Sequence, residues 1–434
     1  MANKAVSKRS ENKPTANKSK KESITPEKNK SRKISQGDAV KKHYQDIAFR
    51  LKMTKMALLI FLVGFILIGI ITNPSELSID SLSHLLRYID IQNSEKTQVF
   101  EFNIDMEDEA RIEYYRDNIV VLKRNKLDIY DLNGKRIFSH TLTYSMPVLE
   151  ISDKYVLAFD SGSNKMQIFN SFSRLYEYKN EYNEVNPIYG AKITDKGNIV
   201  YISSEKGYKS VVTVMNSGFK EIYRCGFGDK YVFDADIDED AKRLAVAAFS
   251  GSNGDFLGEI LLYDTETDEN YEKRIVTEGE IPLIVEFNKA GFFSIFENSL
   301  KIFDADYEKL EDYNFSHKRL EHFCFTSELA AAVLSEKTLG NEKNILIFNY
   351  SGELIYSQIV NTDIINIKFS QDSGVLYFLT RKGIYRIDMQ EKNFELLTAE
   401  YDDTSHKIIY ADDENIFVSG HAKINIINIA NIED

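Results

Sequence analysis

Eight positions in this 434-residue chain carry groups that titrate or bind ions, in strand-like contexts where apolar side chains are the rule: Glu113, Glu150, Lys192, Asp236, Glu286, Cys324, Lys368 and Tyr410. Six of the eight are charged at neutral pH, and they recur every 37 to 50 residues. The position after each (Tyr114, Ile151, Ile193, Ile237, Phe287, Phe325, Phe369, Ala411) is aromatic or aliphatic. Successive residues of a strand point to opposite faces, so eight equivalent strands present one polar face and one packing face. If those strands gather around a common axis, Glu113, Glu150, Lys192, Asp236, Glu286, Lys368 and Tyr410 line a channel and form a candidate binding ring. The alternating signs of Glu150, Lys192 and Asp236 also fit a purely structural, water-filled ring, whose charges offset one another.

Other chemistry is sparse. Asp234, Asp236, Asp238 and Asp240 alternate as D-x-D-x-D-x-D, but the stretch lacks the glycine turn and terminal Glu of a calcium loop. His322 and Cys324 share a strand face, and two ligands do not make a zinc site. No GxSxG elbow, HExxH or phosphate-binding loop occurs. No catalytic residue, metal site or cofactor is therefore assigned. Cys225 and Cys324 are the only cysteines, about 100 residues apart, and are read as two buried thiols.

The elements that position the column repeat. A strand followed by an Asp or Asn turn recurs as LDIYD, MQIFN, VTVMN, ILLYD, LKIFD, ILIFN, IYRID and INIIN, ending at Asp131, Asn170, Asn216, Asp264, Asp304, Asn349, Asp388 and Asn428. The mean interval is about 42 residues, the length of a four-stranded propeller blade. The Asp or Asn side chain accepts from the backbone two residues on and opens the turn. Two hydrophobic strands precede each unit and one follows, giving strands a, b, c and d from the axis outward. The expected fold is all-β, an eight-bladed β-propeller of four-stranded antiparallel blades over residues 97–434. The eighth blade ends without a strand d, whereas TQVFEFN (97–103) precedes the first blade unpaired. Pairing the two closes the ring and removes both sheet edges. It also turns the a–b and c–d turns toward whatever precedes residue 97. The opposite face carries the long connections 250–259, 335–343, 180–187 and 398–405, where binding residues concentrate.

What precedes residue 97 is of another kind. Met56 to Thr72 is an uncharged apolar run at the short end of the length that spans a bilayer, with Lys52 and Lys55 before it and Pro74 after it. Up to Lys55 there are 16 Lys+Arg against 5 Asp+Glu, and the remainder carries 38 against 62. The basic side stays cytoplasmic, so an uncleaved signal anchor with the C-terminal region outside is expected. Residues 1–37 read as a disordered basic tail, 38–72 as a juxtamembrane and transmembrane helix, and 73–96 as a stalk helix, with Leu82, Leu85, Leu86 and Ile89 on one face. The acidic main region repels phosphate backbones, which argues against nucleic-acid binding.

The stretches ITDKGNIVYIS (193–203), IDEDAKRLAVAAF (237–249) and FSQDSGVLYFLT (369–380) resemble the blade signature of TolB-like and YVTN-type propellers. With the anchor, the chain resembles membrane-anchored propeller proteins of unknown function from Gram-positive bacteria. That resemblance implies a scaffold or sensor and no catalytic residue. The GH…WD signature of WD40 repeats is missing, and so is the tryptophan docking pattern of quinoprotein blades, since there is no Trp. The expectation is a single-pass extracytoplasmic propeller that binds an envelope protein or a cell-wall component. The alternative is an envelope hydrolase or lyase at the channel mouth.

Overall fold

The computed structural model describes residues 110–178, 186–252, 255–267, 273–336, 342–398, 405–420 and 424–429, together with scattered helical residues between 49 and 64. The chain divides into two units, Met1–Ile68 and Gly69–Asp434. Among the described residues of the second unit, 31 strands form eight antiparallel sheets, seven of four strands and one of three. Every sheet is built from strands consecutive in sequence, so the a-b-c-d reading holds blade by blade. The inner strands a are Arg111–Tyr115, Pro147–Ile151, Ile188–Ile193, Tyr231–Ile237, Pro282–Phe287, Arg319–Phe325, Ile364–Phe369 and Ser405–Ala411.

The burial pattern explains the composition. Strands b such as Asn118–Leu122, Gly291–Phe296 and Leu329–Ser335 are buried along their whole length, because both faces of a blade lie against neighbouring blades. Hence they read as unbroken apolar runs. Strands d such as Lys309–Asn314 alternate between exposed and half-buried positions. Eight apolar clusters fill the eight interfaces between blades, from Tyr115, Val120, Leu149 and Phe169 between blades 1 and 2 to Ile112, Val121, Ile409 and Phe417 between blades 8 and 1. This last cluster closes the ring. The residues that follow the charged column pack in these clusters against the preceding blade: Ile237 in blade 4, Phe369 in blade 7 and Ala411 in blade 8 are examples.

The Asp/Asn turns form as expected in the first seven blades. Asp131 Oδ1 accepts from the amides of Asn133 (3.0 Å) and Lys135 (2.9 Å). Asn170, Asn216, Asp264, Asp304, Asn349 and Asp388 likewise accept from the amide two residues on.

The eighth sheet has three strands, Ser405–Ala411, Asn415–Gly420 and Ile424–Asn428. The tail 1–37, the stalk 73–96 and the closing strand 97–103 lie outside the described residues, as does most of 56–72. Among the described residues no helix is long and apolar enough to cross a membrane. One connection differs from expectation. Instead of a loop over 250–259, the strands Arg243–Ser252 and Asp255–Asp264 stay paired out to Ser252 and Asp255. Phe249 pairs with Gly258, Ser250 with Leu257 and Gly251 with Phe256, so the ladder runs through the Ser/Gly composition that suggested a loop.

Candidate functional site

Strand pairing places the column at one equivalent level of all eight blades. Glu113 pairs with Val120, Glu150 with Leu157, Lys192 with Val200 and Asp236 with Ala245. Glu286 pairs with Phe293, Cys324 with Ala331, Lys368 with Tyr377 and Tyr410 with Phe417. A cavity of about 1220 Å³ runs along the inner strands, bordered by Glu113, Glu150, Lys368 and Tyr410 from the column and by Arg111 and Lys407. The a–b turn residues Arg116, Asp153, Lys154, Asp195 and Gln371 form its rim. A smaller cavity of about 220 Å³ borders Glu150, Lys192, Asp234 and Tyr189.

The remaining column residues work between blades. Strand a is the inner edge of its sheet, so its outward amides need acceptors from elsewhere. Asp236 accepts from the amide of Phe287 at 2.7 Å, and Asp234 from that of Val285 at 3.0 Å. Asn366 does the same for the Ile408 amide at 2.9 Å. Lys192 Nζ reaches from blade 3 across blade 4 to blade 5. It lies 2.9 Å from Asp234 and 3.1 Å from Glu286, and donates to the Val285 carbonyl at 2.7 Å. Cys324 packs at the interface of blades 6 and 7. Both cysteines are free thiols.

Electrostatics follow from this layout. Burial alone would lower the Lys192 ammonium, but the carboxylates of Asp236, Glu286 and Asp234 overcome it and raise its pKa. Burial pushes Asp236 up, against the pull of Lys192. Burial also pushes Glu150 up to about 7, with Lys192 pulling it down and Glu113, Glu286 and Asp234 adding to the rise. Lys368 is lowered by burial, Glu113 counteracting and Lys407 reinforcing. Burial raises the Cys324 thiol to about 12, Lys368 opposing, so at neutral pH it is not a thiolate nucleophile. Lys407 pairs with Glu113. The ring of Tyr410 stacks on Tyr114 with centroids 3.8 Å apart, and its hydroxyl donates to Gln371 at 2.8 Å.

The acidic alternation disperses. Asp234 and Asp236 lie on strand a, whereas Asp238 caps the a–b turn by accepting from the amides of Lys242 (2.8 Å) and Arg243 (3.1 Å). Asp240 pairs with Lys196 at 2.5 Å. His322 Nε2 bonds the Ile364 carbonyl at 2.9 Å. Among the described residues no group of three metal-ligating side chains converges.

Arg111 and Lys407 were not singled out in the sequence, and Asp234 only as part of the acidic alternation, not as a member of the ring. Arg111 and Asp234 stand two residues before the column, on the same strand face, so the period of two was an available signal for both. Lys407 enters only through the register irregularities of its strand at Ser405/Lys407 and Ile408/Tyr410, which spacing alone does not show.

The fold and its channel define an eight-bladed β-propeller with an ionisable bore. The chain belongs to a family of unknown function, DUF5711, whose model matches residues 90–429. No curated protein matches the sequence. Among solved structures it is similar to the C-terminal WD40 domain of Sif2, at 12% identity over 76% of this chain and 97% of that chain, with a TM-score of 0.52. Sqt1 from Chaetomium thermophilum is 12% identical over 77% of this chain and 99% of its own, with a TM-score of 0.52. The computationally designed Ika8 is 11% identical over 76% and 100%, with a TM-score of 0.51. These likenesses are of fold, reached here without tryptophan or the WD40 signature.

Proposed function

We propose that the protein is a membrane-anchored, extracytoplasmic binding module whose propeller docks a protein partner of the cell envelope. The observation that carries this reading is an arc of exposed aromatic side chains on the b–c/d–a face. Tyr231 and Phe233 open strand a of blade 4 at 48% exposure each, and Phe256 opens its strand c at 63%. The Phe249 ring gathers them, with centroid distances of 5.4, 4.9 and 6.4 Å respectively. Tyr189 and Tyr208 extend the arc over blade 3 at 55% and 48% exposure, and Lys209 Nζ sits 4.6 Å over the Tyr231 ring. Contiguous exposed apolar surface is costly in water unless covered. Aromatic rings ordered against one another lose little entropy on binding and anchor protein interfaces.

The arc lies on the face that closure through 97–103 turns away from the membrane. Anchoring rests on the uncharged run 56–72 and on its basic flank, and the helical residues Leu58, Ile60 and Phe61 support it, being 66%, 61% and 76% exposed. Apolar side chains so uncovered suit a lipid surrounding.

The test places a photo-crosslinking amino acid at Phe256 in the full chain in intact cells, with a control at Leu396 on strand d of blade 7, itself 50% exposed. The expected result is a discrete protein adduct at Phe256 alone, abolished by Tyr231→Ser with Phe233→Ser. Equal adducts at both positions, or a polysaccharide adduct at Phe256, would reject a protein partner at the arc.

A further inference from the structure

The channel is separate from the aromatic arc, and its charges are sorted across the bore. On one side stand Lys368 of blade 7 and Lys407 of blade 8, with Arg111 of blade 1, against the single carboxylate Glu113. On the other side Glu150 of blade 2 borders the cavity. Behind Glu150 are Asp234, Asp236 and Glu286, against the single ammonium Lys192. The rim is nearly balanced, with Asp117, Asp153 and Asp195 beside Arg116 and Lys154.

Most of these charges are already engaged. Lys407 is paired with Glu113, and Lys192 with Asp234 and Glu286. Among the described residues, the side chains of Lys368 and Glu150 make neither a hydrogen bond nor an ion pair, although each residue is only partly exposed and borders the cavity. They lie three blades of eight apart around the ring, so they face each other across much of the bore and cannot act as a contact pair. A purely structural ring gains nothing from leaving one ammonium and one carboxyl unpaired in a partly desolvated bore, since each pays for its burial. The pair is satisfied when one molecule brings an anion to Lys368 and a cation to Glu150. The cavity, at about 1220 Å³, exceeds the size of ordinary small-molecule pockets. Phe323 and the stacked Tyr114 and Tyr410 supply apolar wall.

We propose that the channel binds a small zwitterion, an amino acid or a short peptide with both ends free, its carboxylate on Lys368 and its ammonium on Glu150. The pKa directions agree with such a site. Burial lowers Lys368 and raises Glu150 to about 7, so each is the kind of group that regains its full charge when an opposite charge arrives.

Isothermal titration of the full-length chain at pH 7.5 tests this with three probes: triglycine, succinate and 1,4-diaminobutane. Triglycine is expected to bind at least about tenfold tighter than either of the other two, a difference of about 1.4 kcal/mol. Lys368→Met should abolish the preference over the diamine, and Glu150→Gln the preference over succinate. Phe256→Ser should leave triglycine binding unchanged, which separates this site from partner docking. Thermal unfolding of each variant confirms that it is folded. Equal affinity for the three probes overturns the proposal, as does absence of triglycine binding at millimolar concentration. So does an unchanged order and ratio of affinities for the three probes in both channel variants.

Discussion

Glu150 shows how a single side chain in the bore couples to the stability of the fold. Its carboxyl is raised from the ordinary 4.5 to about 7, first by burial and then by Glu113, Glu286 and Asp234, against the pull of Lys192. A carboxyl raised in the native state binds its proton more tightly than it does in the unfolded chain. Stability therefore falls as pH rises from about 4.5 to about 7 and is flat above, where both states have lost the proton. Glu150→Gln removes the titration while keeping the shape. The variant should match the wild type near pH 4.5 and exceed it at pH 8, by about 1 to 2 kcal/mol after allowance for channel water. For a domain of this size that is about 2 °C in melting temperature. Melting curves at the two pH values decide it: an advantage that does not grow with pH removes the burial argument. The residue's place in a charged column was legible in the sequence, because eight strands repeat one register. Its lack of a partner was not, since that depends on Lys192 turning away toward Asp234 and Glu286 in the next two blades.

At the scale of elements, local chemistry was readable and nonlocal chemistry was hidden. The Asp/Asn turn after strand c bonds within four residues of itself, so the motif alone announces it. The extended hairpin of blade 4 is the opposite case. Its ten-residue strands depend on Glu259, whose side chain is fully buried. Lys230 Nζ sits 3.0 Å from one carboxylate oxygen, and the Arg274 guanidinium engages the other. These partners stand 29 residues before and 15 after it, at the start of strand a and on strand d, and no local pattern pairs them. Removing Glu259 leaves the Lys230 and Arg274 cations, 19% and 37% exposed, without their common anion. Glu259→Ala is expected to cost about 1 to 3 kcal/mol, read as a lower urea midpoint. Glu259→Leu combined with Lys230→Met should cost clearly less, because the anion and the less exposed cation leave together and Arg274 can turn to water. If the double variant is as unstable as the single one, the hairpin is held by packing rather than by this ion group. Because the same hairpin presents Phe249 and Phe256, the single variant should also weaken crosslinking at the arc.

For the whole molecule, the count of eight was legible because each blade must bury both faces against its neighbours, and the sequence repeats that demand at a near-constant interval. Face assignment depends on closure, which the described residues leave at three strands in blade 8. Strand Ile424–Asn428 pairs with Asn415–Gly420 on its inner side, and TQVFEFN (97–103) is our proposed partner on its outer side. In that arrangement the chain enters the ring through its last blade, so covering the outer edge and choosing which face turns from the membrane are one event. Replacing 97–103 with a Gly/Ser segment of equal length keeps the tether and removes the strand. The expected result is an uncovered edge, with a melting temperature lowered by several degrees and concentration-dependent association of the chain. A Val99→Pro change, which removes one ladder donor, should reproduce part of the loss. Unchanged melting and a monomeric Gly/Ser variant would show that the ring is closed by the apolar contact of Ile112, Ile409 and Phe417 between blades 8 and 1 alone. The proposed orientation of the aromatic arc would then lose its basis.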